Sequence, residues 1–340
     1  MTRYFRAVPC ADVHARGQSL AGGLTRFTEI EVLSRVAPAE VLPAEAVAEI
    51  YPEAAPILAR IARPRAPICG LVMDRPRVMG VVNVTPDSFS DGGRLADADA
   101  AVSHGLCLVE AGADILDVGG ESTRPGADPV PEQQELDRVL PVIEGLVRAG
   151  CVAPISIDTR KASVARAALA AGARLFNDVS ALSYDPESGA AAAKADAVCL
   201  MHAQGDPRTM QDAPVYDDVL LDVYDFLAAR LAACDVAGLD PAKMIVDPGI
   251  GFGKTVAHNL ALLRGLSLFQ SLGVPVLLGV SRKGFIGKLS GETMAARRAP
   301  GSIAAGLAGL AEGVQILRVH DVGETVQAVR VWQALREERA

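Results

Sequence analysis

The sequence predicts a (β/α)8 barrel over residues 77–340, preceded by an N-terminal extension over residues 1–76. Three observations carry that expectation. Eight short apolar runs recur from residue 77 onward: VMGVVN, DILDVGG, PISIDT, LFNDVS, AVCLMH, MIVDPG, VPVLLGVS and ILRVHD. Longer amphipathic segments follow the runs, the alternation of parallel strands and covering helices. The eight units occupy roughly 260 residues, close to the ~250 typical of the barrel. A doubly wound open sheet shares the alternation, but neither the count of eight nor the placing of polar residues favours it.

The strand runs are nearly all apolar because a parallel strand is covered on both faces. Residues 216–233 are the clearest helix, with Val219, Leu220, Val223, Phe226, Leu227 and Leu231 on one stripe. Gly172, Gly238 and Gly273 fall where helices should hand over to the next strand. Upstream, RFTEIEVLSRV (26–36) suits a strand or hairpin arm, and a short helix fits 44–62. The stretch 38–76 holds seven prolines. The extension is expected to pack on the barrel or close its bottom, without chemistry of its own.

Composition narrows the class. Of 340 residues, 50% are hydrophobic and 22% charged, enough apolar content for a full core and too much for disorder. A net charge of −8 without a basic run argues against a nucleic-acid partner. Six cysteines lack C-x-x-C pairing and are expected as small buried residues in a reducing compartment. No apolar run reaches ~18 residues, so no membrane span is expected. The opening MTRYFRAVPCADVHARGQ lacks the apolar core of a secretory signal, and a cytoplasmic location is the expectation.

Barrel enzymes place their active sites at the C-terminal strand ends. Here those ends carry Asn83, Asp117, Asp158, Asn177, His202, Asp247, Lys283, and Arg318 with His320. Helix capping explains individual Asp or Asn residues there, but not the whole set. Asp158, Asn177 and Asp247 are acceptors suited to a ligand rich in N–H groups. Arg282, Lys283, Arg318 and His320 lie beside the seventh and eighth strands, where barrels often bind phosphate. A ligand with an N–H-bearing ring at one end and phosphate at the other fits both halves.

The loop DPGIGFGKT (247–255) fails both nucleotide patterns. Pro248 stands where the phosphate-loop motif needs glycine, and Lys254 replaces the third glycine of the dinucleotide fingerprint. It is expected to present Phe252 to the mouth, with Lys254 as a solvated base. TPDSFSDGG (85–93) and ESTRPGAD (121–128) are candidate mobile covers bearing Asp87, Phe89, Asp91, Thr123, Arg124 and Pro125. No set of side chains forms a complete metal site, so any magnesium would be shared with phosphate.

Eight stretches in register then resemble the dihydropteroate synthase family of folate biosynthesis. They are MGVVNVTPDSFSDGG (79–93), GGESTRPGA (119–127), ISIDTRK (155–161), FNDVS (176–180), LMHAQGDPRTMQ (200–211), DPGIGFGKT (247–255), GVSRKGFIG (279–287) and RVHDV (318–322). The resemblance implies condensation of 6-hydroxymethyl-7,8-dihydropterin diphosphate with p-aminobenzoate, giving 7,8-dihydropteroate and diphosphate. It assigns the pterin to Asp158, Asn177, Asp247, Lys283 and Arg318, and the diphosphate to Asn83, Thr123, Arg318 and His320. Phe89, Thr123, Pro125, Phe252 and Lys283 would shape the p-aminobenzoate pocket, where sulfonamides act in this family. Lys283, Arg318, Asp91 and Arg124 would serve catalysis, and Asn83 would hold Mg2+ with the diphosphate. A homodimer is also implied, and the Ala/Gly-rich segment 300–313 could pack closely in one.

Two departures stand out: Gly284 follows S-R-K where many members have serine, and the extension is longer than in the shortest members. A pterin-dependent methyltransferase on the same barrel would not need both phosphate-end motifs or two long covering loops. A non-catalytic pterin-binding paralogue would have no reason to keep Asn83, Thr123, Arg124, Lys283, Arg318 and His320.

Overall fold

The computed structural model describes residues 2–10, 16–84, 94–122, 128–205, 209–210 and 212–337. The chain opens with four antiparallel strands, β1 (Tyr4–Pro9), β2 (Gln18–Ser19), β3 (Arg26–Leu33) and β4 (Glu40–Pro43), of which β3 pairs with the other three. Helices α1 (Ala44–Ile50) and α2 (Ala55–Ala62) pack with this sheet around Phe5, Phe27, Ile30, Val47 and Ile61. The single helix expected over 44–62 is interrupted by a 3-10 turn at Pro52–Ala54. Pro52 disfavours a helical conformation at Tyr51 and brings no N–H of its own to the helix.

Eight parallel strands then form a nearly closed barrel: β5 (Arg77–Asn83), β6 (Ile115–Gly119), β7 (Ile155–Asp158), β8 (Leu175–Asp178), β9 (Ala197–Met201), β10 (Met244–Asp247), β11 (Leu277–Leu278) and β12 (Ile316–Val319). The ladder runs from β5 to β10 in chain order and returns through β12, which pairs with both β5 and β11. Between β10 and β11 only one bridge forms, Val246 with Val276, and the Val246 N–H donates to the Pro275 carbonyl at 3.0 Å. The long seventh run thus yields a two-residue strand. Pro275 cannot donate into the ladder, which weakens pairing at the run's start.

The covering helices are α3 (Arg94–Glu110), α4 (Glu132–Arg148), α5 (Ala162–Ala170), α6 (Ser188–Ala192), α7 (Val219–Val236), α8 (Val256–Arg264), α9 (Gly284–Ser290), α10 (Ala299–Ala311) and α11 (Val322–Ala334). The helix expected at 216–233 starts three residues later because Asp218 caps it, accepting from the Leu220 and Leu221 N–H groups. Gly238 follows α7 at φ +81°, and Gly172 and Gly273 also adopt positive φ at the hand-over points. No described helix is long and apolar enough to cross a membrane.

The inner face of the barrel is filled by Met79, Ile115, Leu175, Ala197, Cys199, Ile245, Leu277 and Ile316. Ile68, Cys69 and Met73, beside the tight Ile68–Leu71 bridge, join this layer. Of the cysteines expected to be buried, Cys69, Cys199 and Cys234 are, whereas Cys107 is exposed on α3. Buried polar contacts tie the N-terminal sheet to the barrel. Arg65, only 4% exposed, donates to the Gln270 carbonyl (2.7 Å) and Oε1 (3.0 Å) and to the carbonyls of Arg60 and Arg63. Gln270 in turn donates to the Gly313 carbonyl, while Gln315 Oε1 accepts the Val276 N–H. The network therefore reaches the β10–β11 seam.

Arg65→Met leaves several of these acceptors without a donor. Urea denaturation should show a loss of about 2–4 kcal/mol. A loss below about 0.5 kcal/mol would mean that water replaces the guanidinium freely.

Candidate active site

Strand periodicity builds the site. Inward-facing residues repeat every second position, so the residues two beyond Ile115, Leu175, Ile245 and Ile316 also face the barrel axis. Those residues are Asp117, Asn177, Asp247 and Arg318. A polar layer thus sits directly above the apolar one, and Asp158 at the end of β7 joins it.

Arg318 organises that layer. Its Nε donates to Asp117 Oδ2 at 2.6 Å and a terminal nitrogen donates to Asp158 Oδ2 at 2.7 Å. Asn177 Nδ2 also donates to Asp117 Oδ2, at 3.2 Å. That bond orients the amide and leaves its oxygen as an acceptor. Asp117 is fully buried, and its Oδ1 has no partner among the described residues. Burial pushes Asp158 up to about 7 against the pull of Arg318. Burial alone would depress Arg318, but Asp117 and Asp158 more than offset it and hold the guanidinium charged. Asp247 accepts the Gly249 N–H at 2.7 Å, yet burial still raises it to about 6. These are acceptors held in low dielectric.

The cationic side is less uniform than the sequence suggests. Arg282 does not stand free for an anion: it pairs with Asp321 at 2.5 and 3.1 Å, at φ +58°. Lys283 places its ammonium 3.9 Å from the Phe252 ring centroid, a cation–π contact. His320 Nδ1 lies 3.0 Å from Ser281 Oγ, and its N–H donates to the same hydroxyl. Asn83 ends β5, half-buried.

Lys254 corrects a second expectation. Far from being solvated, it is 2% exposed, and its Nζ lies 2.9 Å from His202 Nδ1 while donating to the Phe252 carbonyl at 2.9 Å. Burial lowers the Lys254 ammonium to about 7 and the His202 imidazole to about 3. A neutral imidazole can then accept through Nδ1.

Asp87, Phe89, Asp91, Thr123, Arg124 and Pro125 lie outside the described residues. Glu121, just before the second of these segments, is held by Lys161 at 2.7 Å and Arg160 at 3.2 Å, and accepts the Val130 N–H. Lys161 also reaches the buried Glu135 at 2.5 Å. The strand-end pattern marked Asp117 without assigning it a role. Its spacing from Ile115 was the available signal. Nothing in the sequence linked Lys254 to His202.

A barrel with buried acceptors on several strands and cations on the adjoining ones is the architecture of a pterin-binding enzyme, and the profile of that family, described as "Pterin binding enzyme", matches residues 79–320. The chain belongs to this family. It is 50% identical over 269 residues to a dihydropteroate synthase of Neisseria meningitidis serogroup B, covering 77% of this chain and 94% of the relative. A solved Xanthomonas albilineans dihydropteroate synthase with 4-aminobenzoic acid matches at a TM-score of 0.76 and 52% identity, covering 81% of this chain and 99% of that one. The same organism's enzyme in complex with 7,8-dihydropteroate matches at 0.73 and 48%, covering 81% and 100%. The activity is accordingly that of a dihydropteroate synthase, a transferase of folate biosynthesis.

Asp117→Ala removes one carboxylate from a buried ion-pair set. It should destabilise the fold by about 3 kcal/mol in urea denaturation, and Asp117→Asn by roughly half of that. A loss below about 1 kcal/mol for the alanine variant would mean that Asp158 alone suffices to hold Arg318.

Proposed function

We propose that Asp158, Asn177 and Asp247 grip the pterin ring of 6-hydroxymethyl-7,8-dihydropterin diphosphate, and that p-aminobenzoate approaches along Phe252 and Lys283. The observation that carries this reading is the buried layer of acceptors from three strands, with the Asn177 amide oriented by Asp117. A pterin offers a 2-amino group and ring N–H groups, which paired carboxylate and amide oxygens accept in one plane. Relatives solved with 4-aminobenzoic acid and with 7,8-dihydropteroate support the two kinds of ligand in this reading.

In the reaction the bond between the exocyclic methylene carbon and the diphosphate oxygen breaks. The arylamine nitrogen then bonds that carbon and releases a proton. Lys283 donates to the pterin near O4 and N5. Arg318, charged and fixed by two carboxylates, lies along the ring face and extends toward the phosphate end. His320, Thr123 and Asn83 complete the diphosphate side. Phe89, Thr123, Pro125 and Phe252 shape the amine pocket, the site a sulfonamide would occupy. Asp91 and Arg124 act at the reacting centre from the two covering segments. No covalent enzyme intermediate is required.

The donor set fits magnesium only as a shared ion. Among the described residues no cluster of three His, Cys, Asp or Glu groups could hold a metal. Asn83 offers one amide oxygen at the mouth, which suits an ion held mainly by phosphate oxygens and water. Bound there, Mg2+ would neutralise charge on the departing diphosphate. The enzyme is further proposed to be a cytoplasmic homodimer, with residues 77–340 as the pterin-binding domain and 1–76 as its extension. It has no proposed nucleic-acid or membrane partner.

Purified protein with both substrates and magnesium should release diphosphate only when p-aminobenzoate is present. Amine-independent release, or none, would contradict the synthase assignment. Asp247→Ala should abolish pterin binding, whereas Phe252→Ala should mainly raise the KM for p-aminobenzoate. Equal loss of both ligands in both variants would contradict the division of the pocket.

The raised Asp247 carboxyl also sets a pH dependence. Its acceptor form is present above about 6 and is lost as pH falls through that value. The Kd of 6-hydroxymethylpterin, which carries no diphosphate to titrate, should therefore rise by up to about tenfold from pH 7 to pH 5. Calorimetry should find a flatter profile in Asp247→Asn, and a flat wild-type profile would refute the assignment.

A further inference from the structure

The loop between β10 and α8 is built against the exit of β9. Gly249 has φ +66°, and a Cβ there would lie 1.9 Å from the His202 carbonyl oxygen. At Gly253, φ +62°, a Cβ would lie 2.3 Å from the Gln204 carbonyl oxygen. The two backbones are therefore in direct apposition, a packing that only glycine permits. Tyr216 donates from its hydroxyl to the Gly253 carbonyl at 2.8 Å, and the Gly251 N–H donates to Asn259 Oδ1 at 2.7 Å.

Lys254 lies at the centre of this contact. Its ammonium meets His202 Nδ1 at 2.9 Å, the Phe252 carbonyl at 2.9 Å and the His202 carbonyl at 3.4 Å. These are neutral acceptors, and no carboxylate bonds the ammonium among the described residues. A buried cation without a carboxylate is costly, so its neutral acceptors have to be held in place. The His202 ring is itself fixed, edge-on to Phe226 at 4.9 Å between centroids. From the Phe252 carbonyl the chain of contacts continues through the Phe252 ring to Lys283, 3.9 Å away.

We propose that Lys254 is a positioning residue for the arylamine half of the site: anchored on His202, it holds the Phe252 main chain so that the ring forms a fixed platform beneath Lys283. Lys254 touches neither substrate. It acts through Phe252, although the Asp247 charge is felt at its ammonium. The inference rests on the reading of Phe252 and Lys283 as part of the p-aminobenzoate pocket.

The test compares Lys254→Met, Lys254→Gln, Phe252→Ala and the double variant Lys254→Met/Phe252→Ala by steady-state kinetics, with calorimetric binding of 6-hydroxymethylpterin. Lys254→Met should raise the KM for p-aminobenzoate about tenfold while the pterin Kd stays within about twofold. Lys254→Gln, which keeps a donor for the Phe252 carbonyl, should show a smaller rise, about threefold, and carries the test if the Met variant does not fold. The double variant should be no worse than Phe252→Ala alone, because the two residues act in series. An unchanged amine KM in a folded Lys254 variant, additive losses, or equal weakening of both ligands would each overturn the proposal. If Phe252→Ala itself leaves the amine KM unchanged, the pocket assignment fails and this inference falls with it. A rise in Phe252→Ala without one in the Lys254 variants refutes the inference alone.

Discussion

The site depends on one buried charge arrangement, Arg318 held between Asp117 and Asp158. A guanidinium facing the interior of a barrel is costly unless its donors are met by carboxylates of good geometry. Two strands on the far side of β5 supply them. The same Asp117 oxygen receives the Asn177 amide, so the orientation of an acceptor follows from the placement of a cation. Arg318 is therefore both the positive wall of the site and the reason its negative floor is rigid. Such preorganisation matters because groups already in place need not reorganise as charge develops.

The opposite side of the mouth solves a similar problem differently. Lys254 is buried among a ring nitrogen and two carbonyls, and Lys283 rests on an aromatic face. The charges of both lysines also act on Asp247, partly offsetting the burial that raises its carboxyl. Another buried cation, Arg65, works at the opposite end of the barrel. It binds main-chain oxygens of α2 and of the segment leading into β11, where the ladder is thinnest. The family match begins at residue 79, downstream of this N-terminal layer.

Much of the fold was legible because apolar periodicity and helix-ending glycines are local signals. The eight runs become eight strands, in the expected order. What escaped was also physical. Pro52 splits a helix that composition alone would continue, and Pro275 lies in a run whose strand shrinks to two residues. Neither outcome follows from hydrophobicity. For the site, position at a strand end revealed Asp158, Asn177, Asp247, Lys283 and Arg318 together, though it credited Arg282 with a free charge that Asp321 takes up.

The sequence by itself determined the barrel, its direction and the residue types at its mouth, since strand polarity and period are written in neighbouring positions. Tertiary structure alone decided which charges cancel. Asp117 and Arg318 lie 201 positions apart, and Lys254 and His202 lie 52 apart. Only closure of the barrel brings such groups within hydrogen-bond reach. Whether a lysine is a solvated base or a buried clamp depends on that closure, because burial and partners, not residue type, set the energy of a charge.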